Sequence, residues 1–262
     1  MIFKRELKRN FKPFLIITFI CAVMAIYVIS LGPSMGTDIQ KILDLKLPKQ
    51  FQAAFGMKGL DYTNPNSFFA LVFSYLYLFL GIYISGAFSN VVSKEFNDKT
   101  AEFLFSMPTT RTSIIFSKLI VVFLYALLSI ILIFLISWIS MSLFISKSFE
   151  MLPIILMTLA WLIGGITFGA FGFLLSSFFT RGRTISALSV GVVVGMFVLQ
   201  VIISMNDKLD FLKYICPFEW FKGSEINQKQ ELSVTYILIA VVASILCFYF
   251  GIRRFKKMDV LI

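Results

Sequence analysis

Histidine is absent from this 262-residue sequence, and cysteine is scarce. Without histidine the chain lacks the most common general base and the most common metal ligand. The three cysteines, Cys21, Cys216 and Cys247, lie far apart and form no CxxC pair, so they indicate neither a metal site nor a disulfide framework. A GxxxxGK[ST] phosphate-binding loop is also absent. We therefore predict that the chain is not an enzyme and holds no metal or cofactor of its own.

Charged residues make up only 15% of the chain, whereas 58% is hydrophobic and the mean hydropathy is +0.89. This is more apolar surface than one soluble core can bury. Six apolar runs of 19 to 27 residues are each long enough to cross about 30 Å of hydrocarbon. We therefore predict an all-α integral membrane protein, one domain over residues 1–262, with spans at 13–31, 67–92, 119–145, 153–179, 185–204 and 233–252.

None of these six runs, as bounded, contains Asp, Glu, Lys or Arg. Charges inside a bilayer usually mark proton relays, ion sites or voltage sensors. Their absence argues against a proton- or sodium-coupled transporter, and any energy for transport would have to come from a partner. An ATP-independent channel or secondary carrier, and a membrane scaffold or assembly protein, stay open as alternatives.

The basic residues indicate the orientation of the chain. The N-terminus, the 93–118 and 180–184 connections and the C-terminal tail together hold 15 Lys and Arg, whereas the other three connections hold 9. By the positive-inside rule both termini are cytoplasmic. The basic face suits anionic membrane lipids and gives no reason to expect nucleic acid as a partner.

Two segments outside the spans have an interfacial composition. Residues 1–12 combine apolar side chains with five basic residues and one glutamate, which predicts an N-terminal amphipathic helix on the membrane surface. Residues 205–232 include a run of aromatic side chains that favours either anchoring at the headgroups or a segment dipping back between helices. Whether this connection binds substrate or only anchors is left open.

Residues 93–118 form the longest charged interruption on the predicted cytoplasmic side. A helical spacing predicts a short amphipathic helix that ends at Pro108, followed by threonines 109, 110 and 112 that can cap the next span. A solvated loop is the alternative. If the segment 93–112 docks a partner, the candidate contact residues are Glu95, Phe96, Thr100, Glu102, Phe103, Leu104, Met107 and Arg111.

Small residues recur at the spacing that lets membrane helices approach closely. The clearest pairs are Gly165 with Gly169 in the fourth span and Gly191 with Gly195 in the fifth. A further pair, Gly81 with Ser85, lies in the second span. These pairs predict a tight bundle and say little about function.

The 93–118 connection resembles the first cytoplasmic loop of the permease subunits of ABC-2-type transporters. That loop reads roughly as glutamate, a Gly-Thr or similar pair, Leu-Leu, proline, a small residue, arginine, and a lysine opening the third span. The corresponding residues here are Glu95, Lys99-Thr100, Phe103-Leu104, Pro108, Thr110, Arg111 and Lys118, with Lys99 where glycine is usual. The resemblance covers the whole chain, since Leu47-Pro48, Phe55-Gly56 and Pro217-Phe218 in the other connections are similar to the family as well.

The resemblance implies the membrane-spanning subunit of an ATP-driven exporter in the cell membrane. Such a subunit pairs with a second copy or a close relative and with two copies of a separate ABC ATPase, which binds the ATP and Mg²⁺. The 93–107 segment would be the coupling helix seated in the ATPase, with the 1–12 helix beside it. For the transported molecule, a neutral and aromatic interior favours an antimicrobial or toxin-like peptide or a drug.

Overall fold

A computed structural model of the chain describes residues 2–44, 52, 56–57, 59–62, 64–97, 110–145, 148–178 and 182–256. Over these residues the protein is all-helical and forms no strand, as the sequence predicts. Six long helices are each apolar and long enough to cross a membrane. The chain is therefore a multi-pass membrane protein.

The six long helices begin and end beyond the apolar runs in most cases. They are α1 (Ile2–Asp44), α2 (Asn66–Asn97), α3 (Arg111–Phe144), α4 (Met151–Phe178), α5 (Gly182–Met205) and α8 (Val234–Lys256). Between α5 and α8 lie a 3-10 helix (Asp207–Tyr214) and two short helices, α6 (Pro217–Trp220) and α7 (Gly223–Lys229). We call residues 206–233 the cap.

Helix α1 differs from the sequence expectation at both ends. The sequence predicts a separate surface helix over residues 1–12 and a first span that ends at residue 31, but α1 runs without a break from Ile2 to Asp44. Backbone hydrogen bonding continues through polar residues as readily as through apolar ones, so the length of an apolar run underestimates the length of its helix. Span boundaries read from hydropathy alone are too short here.

Helix α2 is the central helix of the bundle, since it contacts α1, α3, α4 and α5. Its side chains Phe73 and Tyr77 are fully buried, and the Phe73 ring stacks on Trp161 of α4 with the ring centroids 5.4 Å apart. The indole of Trp161 also donates a hydrogen bond to the carbonyl of Phe73 (3.3 Å). Because aromatic side chains bury large apolar areas, this stack contributes to the packing of α2 against α4.

Glycines on α4 bring its backbone against α2. A methyl group added at Gly165 would lie 2.8 Å from the Ile84 side chain, and one at Gly169 would lie 2.8 Å from Phe88. The closest approach to backbone is at Gly172, where the added carbon would meet the carbonyl oxygen of Ser85 at 2.2 Å. The second glycine pair behaves differently, because a methyl group added at Gly191 or Gly195 would meet no described atom within 4 Å apart from the nearby backbone of its own helix.

Hydroxyl pairs connect neighbouring spans inside the bundle. Thr18 of α1 donates to Ser129 of α3 (3.1 Å), and Ser244 of α8 donates to Thr167 of α4 (3.2 Å). Between α2 and α5, Ser189 donates to Ser89 (3.1 Å). Such bonds between membrane helices contribute about 0.6–2 kcal/mol each. They fix which faces of the helices meet, in addition to the apolar packing.

Candidate functional site

Three connections meet at the end of the bundle opposite the chain termini. The amide of Asn66 donates to the carbonyl of Glu150 (3.0 Å), and Gln230 of the cap donates to the Glu150 carboxylate. Gln228 of the cap donates to the carbonyl of Gly59. These side-chain bonds hold the cap against the other two connections. The three connections at this end of the bundle therefore form one continuous surface.

The middle of the cap folds back between the spans. Cys216, Phe218 and Phe221 are each at most 1% exposed. The Phe218 ring lies 4.8 Å from Tyr77 of α2 and 4.9 Å from Phe168 of α4, measured between centroids. The sequence left two alternatives for this connection, anchoring at the headgroups and burial between the helices, and both occur in it. Phe211 and Tyr214 at its start are exposed, as interfacial anchors would be, whereas Phe218 is buried.

The polar backbone of this buried stretch is bonded to the spans around it. Tyr77 donates to the carbonyl of Pro217 (3.4 Å), and Gln200 of α5 donates to the carbonyl of Phe218 (3.3 Å). The Cys216 thiol donates to the carbonyl of Met196 (3.2 Å). Since buried backbone groups are costly without partners, these bonds let the short helix α6 and the residue before it lie buried between the spans.

Glu219 brings a carboxylate into this buried segment. It is 6% exposed, pairs with Lys222 (2.5 Å) and accepts a hydrogen bond from Ser204 (3.3 Å). Burial raises the pKa of the Glu219 carboxyl above its ordinary value, and the neighbouring Lys222 and Ser204 only partly offset this effect. The cap therefore has a carboxyl that gains a proton more readily than an exposed one.

A cavity of about 260 Å³ lies beneath the cap. Its walls are mainly polar and come from α2, α5 and the cap, with lining residues that include Ser74, Tyr75, Gln200, Ser204, Lys222 and Gln228. Ser74 is eight residues into α2, which places it about 12 Å below the helix end. The cavity thus reaches into the bundle, with room for a cluster of waters or a small polar group.

At the opposite end, α2 and α3 lead into and out of the 98–109 connection. Thr110 caps α3 by accepting a hydrogen bond from the backbone N–H of Ser113 (3.3 Å). The predicted capping of this helix by a threonine is confirmed. The connection itself, and with it Thr100, Glu102, Phe103, Leu104, Met107 and Pro108, lies outside the described residues, as do the side chains of Glu95, Phe96 and Arg111.

A buried ion pair lies close to this connection. Lys118 of α3 and Glu6 of α1 are each 2% exposed, and the Lys118 ammonium lies 3.5 Å from Glu6 Oε1. Both residues fall inside the candidate membrane spans Thr112–Phe144 and Phe3–Gly32. The expectation that the bundle interior is free of ionisable residues is therefore wrong, because the helices that cross the membrane start before the apolar runs do.

The sequence contains a signal for this pair. Glu6 is the only acidic residue among the first twelve, which also include five basic ones. Lys118 stands between two apolar stretches, Ile114–Phe116 and Leu119–Phe123, where a charge is costly unless a partner is present. A single acidic residue near one apolar run and a single basic residue next to another indicate that the two side chains form an ion pair. The sequence does not give the geometry of that pair.

Metal chemistry finds no support in the described part of the chain, where no group of three or more Cys, Asp or Glu side chains could hold an ion. The three cysteines are free and buried. Two places are candidates for function. One is the motif-bearing connection between α2 and α3, which lies outside the described residues, and the other is the cap at the opposite end of the bundle.

Comparison with known proteins identifies a family for the chain. A family model described as "Protein of unknown function (DUF2705)" matches residues 47–261, which is more than four fifths of the sequence. The chain belongs to the DUF2705 family. No curated protein matches this DUF2705 member significantly. The family match covers α2 to α8 and the cap, so it includes both ends of the bundle described above.

Proposed function

We propose that the protein is the membrane-spanning permease subunit of an ATP-driven ABC-2-type exporter. The observation that carries the proposal is the charged connection between α2 and α3, whose residues resemble the coupling loop of that family, with Lys99 where glycine is usual. The helices on either side support it, because both extend past their apolar runs toward the connection. A partner ATPase docked there would act directly on α3 and on α2, the central helix of the bundle.

The composition of the interior supports an amphipathic or hydrophobic substrate. The buried surface between α2, α4 and the cap is aromatic, and the cavity beneath the cap is polar but small. An antimicrobial or toxin-like peptide, or a drug, combines the apolar surface and polar groups that such a path accepts. In the proposed assembly two permease chains and two ATPase chains lie in the cell membrane, with the chain termini cytoplasmic and the cap outside.

Co-purification tests the partnership. The chain, tagged at its C-terminus, would be purified from its native membrane in mild detergent, and an ABC ATPase is expected to accompany it. A chain in which Glu95, Phe103 and Arg111 are all replaced by alanine should recover much less ATPase at equal expression. Equal recovery of ATPase by both chains, or its absence from both, contradicts the proposal.

Reconstitution tests the energy source. Proteoliposomes that contain the complex should export a fluorescent hydrophobic drug or a labelled cationic peptide when ATP is supplied, and a protonophore should leave the rate unchanged. Transport that continues without ATP and stops with the protonophore would instead identify a secondary carrier. A complex with no transport of any probe and no ATP hydrolysis would favour a scaffold.

A further inference from the structure

The buried pair of Glu6 and Lys118 joins three helices at the end of the bundle that carries the 98–109 connection. Lys118 also donates a hydrogen bond to the carbonyl of Val91 in α2 (3.3 Å). Val91 lies six residues before the end of α2, and Lys118 lies seven residues after the start of α3. Each is therefore about 10 Å inside the point where its helix meets the connection.

The remaining oxygen of the carboxylate is bonded within α1. Glu6 Oε2 pairs with Arg9 (3.0 Å) and accepts a hydrogen bond from Asn10 (3.4 Å). Glu6 Oε1 is buried and has no aligned hydrogen bond among the described residues, so the Lys118 ammonium at 3.5 Å compensates its charge. The two side chains of α1 thus orient the carboxylate toward Lys118.

Further contacts extend this junction along α1 and α3. Tyr125 donates to the carbonyl of Leu7 (2.8 Å), and its ring lies 5.0 Å from that of Phe14. One turn further along, Thr18 bonds Ser129. The first third of α1 is consequently fixed along its length to α3, and through Lys118 to α2.

Stability alone does not account for a charge pair in this position. Two apolar side chains of similar volume usually give equal or greater stability than a buried ion pair. A charge pair also discriminates against other registers: if α1 shifted by about one turn along α3, Arg9, which lies three residues after Glu6 on the same face, would approach Lys118 and repel it. The pair therefore specifies the register of α1 against the other two helices.

We propose that Glu6 is a positioning residue: with Lys118 it sets the register of the N-terminal part of α1 across α2 and α3, and so fixes the spacing of the two helix ends that flank the coupling connection. The consequence for coupling rests on the function proposed above. In that setting, movement of the connection by the ATPase is passed to α1 as well as to α2 and α3, because the three helices are joined by one ammonium group.

Three variants separate positioning from stability. Glu6→Gln leaves the Lys118 charge uncompensated, and should both lower the thermal unfolding midpoint and loosen the junction. The double variant Glu6→Gln/Lys118→Met removes both charges, so its unfolding midpoint should return close to that of the wild type. Lys8→Glu changes an exposed charge on the same helix and serves as the matched control.

The position of α1 is measured by amide hydrogen exchange on the purified full-length chain. In Glu6→Gln and in the double variant, exchange in peptides covering residues 3–10 and 88–94 should rise roughly tenfold or more, while the cap stays at the wild-type rate. The control should match the wild type throughout. Recovery of slow exchange in the double variant together with its stability would show a purely structural role and overturn the proposal, as would unchanged exchange in Glu6→Gln.

A second measurement addresses coupling in the complex with the co-purified ATPase. The double variant should bind a wild-type amount of ATPase but hydrolyse ATP at an altered rate per bound ATPase. An unaltered rate overturns the role of Glu6 in coupling while leaving the exporter function intact. Failure of any ATPase to bind the wild type refutes the exporter function, whereas the exchange experiment still decides on the register.

Discussion

Single glycines on α4 determine how closely it approaches α2. Glycine inside a helix costs about 1 kcal/mol relative to alanine, so its retention needs a reason in the packing. At Gly172 the reason is the Ser85 carbonyl oxygen, which occupies the space that a side-chain carbon would need. Lipid tails are as apolar as the side chains of the helices, so the hydrophobic effect does not drive membrane helices together. Close packing, as at Gly172, is instead a main source of their association.

Alanine substitutions at two glycines should have opposite consequences. We expect Gly172→Ala to destabilise the bundle by about 1–3 kcal/mol, since the new methyl group meets backbone that cannot rotate away. Gly191→Ala should stabilise the protein by up to about 1 kcal/mol, because the added carbon meets no neighbouring atom of the described chain within 4 Å and alanine favours the helix. Thermal unfolding of the purified variants in one detergent, followed by tryptophan fluorescence, measures both effects. Equal shifts for the two variants would contradict the packing described for α2 and α4.

Glu219 should make the stability of the protein depend on pH. Burial raises the pKa of its carboxyl in the folded protein above the ordinary value of about 4.5 that it regains on unfolding. Between these two values the folded state binds more protons than the unfolded state, so the free energy of unfolding decreases as pH rises through this window. The contribution is most favourable below the window and is lost above the folded-state pKa.

The variant Glu219→Gln isolates this contribution, because glutamine does not titrate. We expect the difference in unfolding midpoint, wild type minus variant, to decrease as the pH is raised from about 4.5 toward neutrality. Glu231→Gln, at an exposed carboxylate of the same cap, is the matched control for the loss of a surface carboxylate, and the trend at Glu219 is read against it. A difference that is flat or increases with pH would mean that the Lys222 ion pair outweighs burial.

Among the elements, the connection between α2 and α3 carries the sharpest functional prediction. A helix seated in a groove draws most of its binding energy from a few buried apolar anchors. Phe103→Ala should therefore weaken association with the ATPase by about 1–3 kcal/mol. If Glu95 pairs with a basic residue of the ATPase or orients the connection, Glu95→Lys replaces attraction with repulsion and should reduce transport even where the complex survives.

Both variants are compared with Lys41→Glu, a charge change near the end of α1 on the side predicted to lie outside. The readouts are recovery of the ATPase and ATP hydrolysis per recovered ATPase. A solvated loop predicts changes within about 0.5 kcal/mol for all three variants. Near-normal values for Phe103→Ala and Glu95→Lys would therefore identify the connection as a solvated loop.

The sequence could predict the six long helices because their signal is local. A run of about 20 apolar residues has few stable alternatives to a membrane helix, and all six runs are helical. The capping of the N-terminus of α3 was equally predictable, because the Thr110 side chain bonds the backbone N–H of Ser113, which is only three positions further along the chain. Helix ends were less predictable: Asp44 and Asn97 lie well beyond the apolar runs they follow.

Contacts between distant residues could not be read from the sequence. The spacing of Gly165 and Gly169 predicts a face for close packing, but not that α2 supplies the partner, nor that Gly172 makes the closer contact with backbone. Likewise, the composition around Phe218 allowed two positions for the cap. Its burial depends on a fit among α2, α4 and α5 that only the folded bundle creates.

At the scale of the whole molecule, a bundle in which all six candidate spans cross the membrane would have both chain ends on the same side of it. The three connections that include residues 59, 150 and 228–230 are joined at the other side by hydrogen bonds. Basic residues are more numerous on the side of the termini, 15 against 9. Because Lys and Arg are retained on the cytoplasmic side of a membrane, this distribution predicts that the cap faces outward.

Cysteine labelling in intact cells tests this orientation. The background would lack Cys21, Cys216 and Cys247, which are all buried. A cysteine introduced at Lys229, exposed on the cap, should react with a membrane-impermeant maleimide, whereas one at Lys8, exposed near the start of α1, should react only after the membrane is permeabilised. The two sites are comparable in exposure and in charge, so a difference in labelling reports the side of the membrane and not local access. Labelling of the Lys8 site in intact cells would invert the proposed orientation, and with it the assignment of the 98–109 connection to a cytoplasmic ATPase.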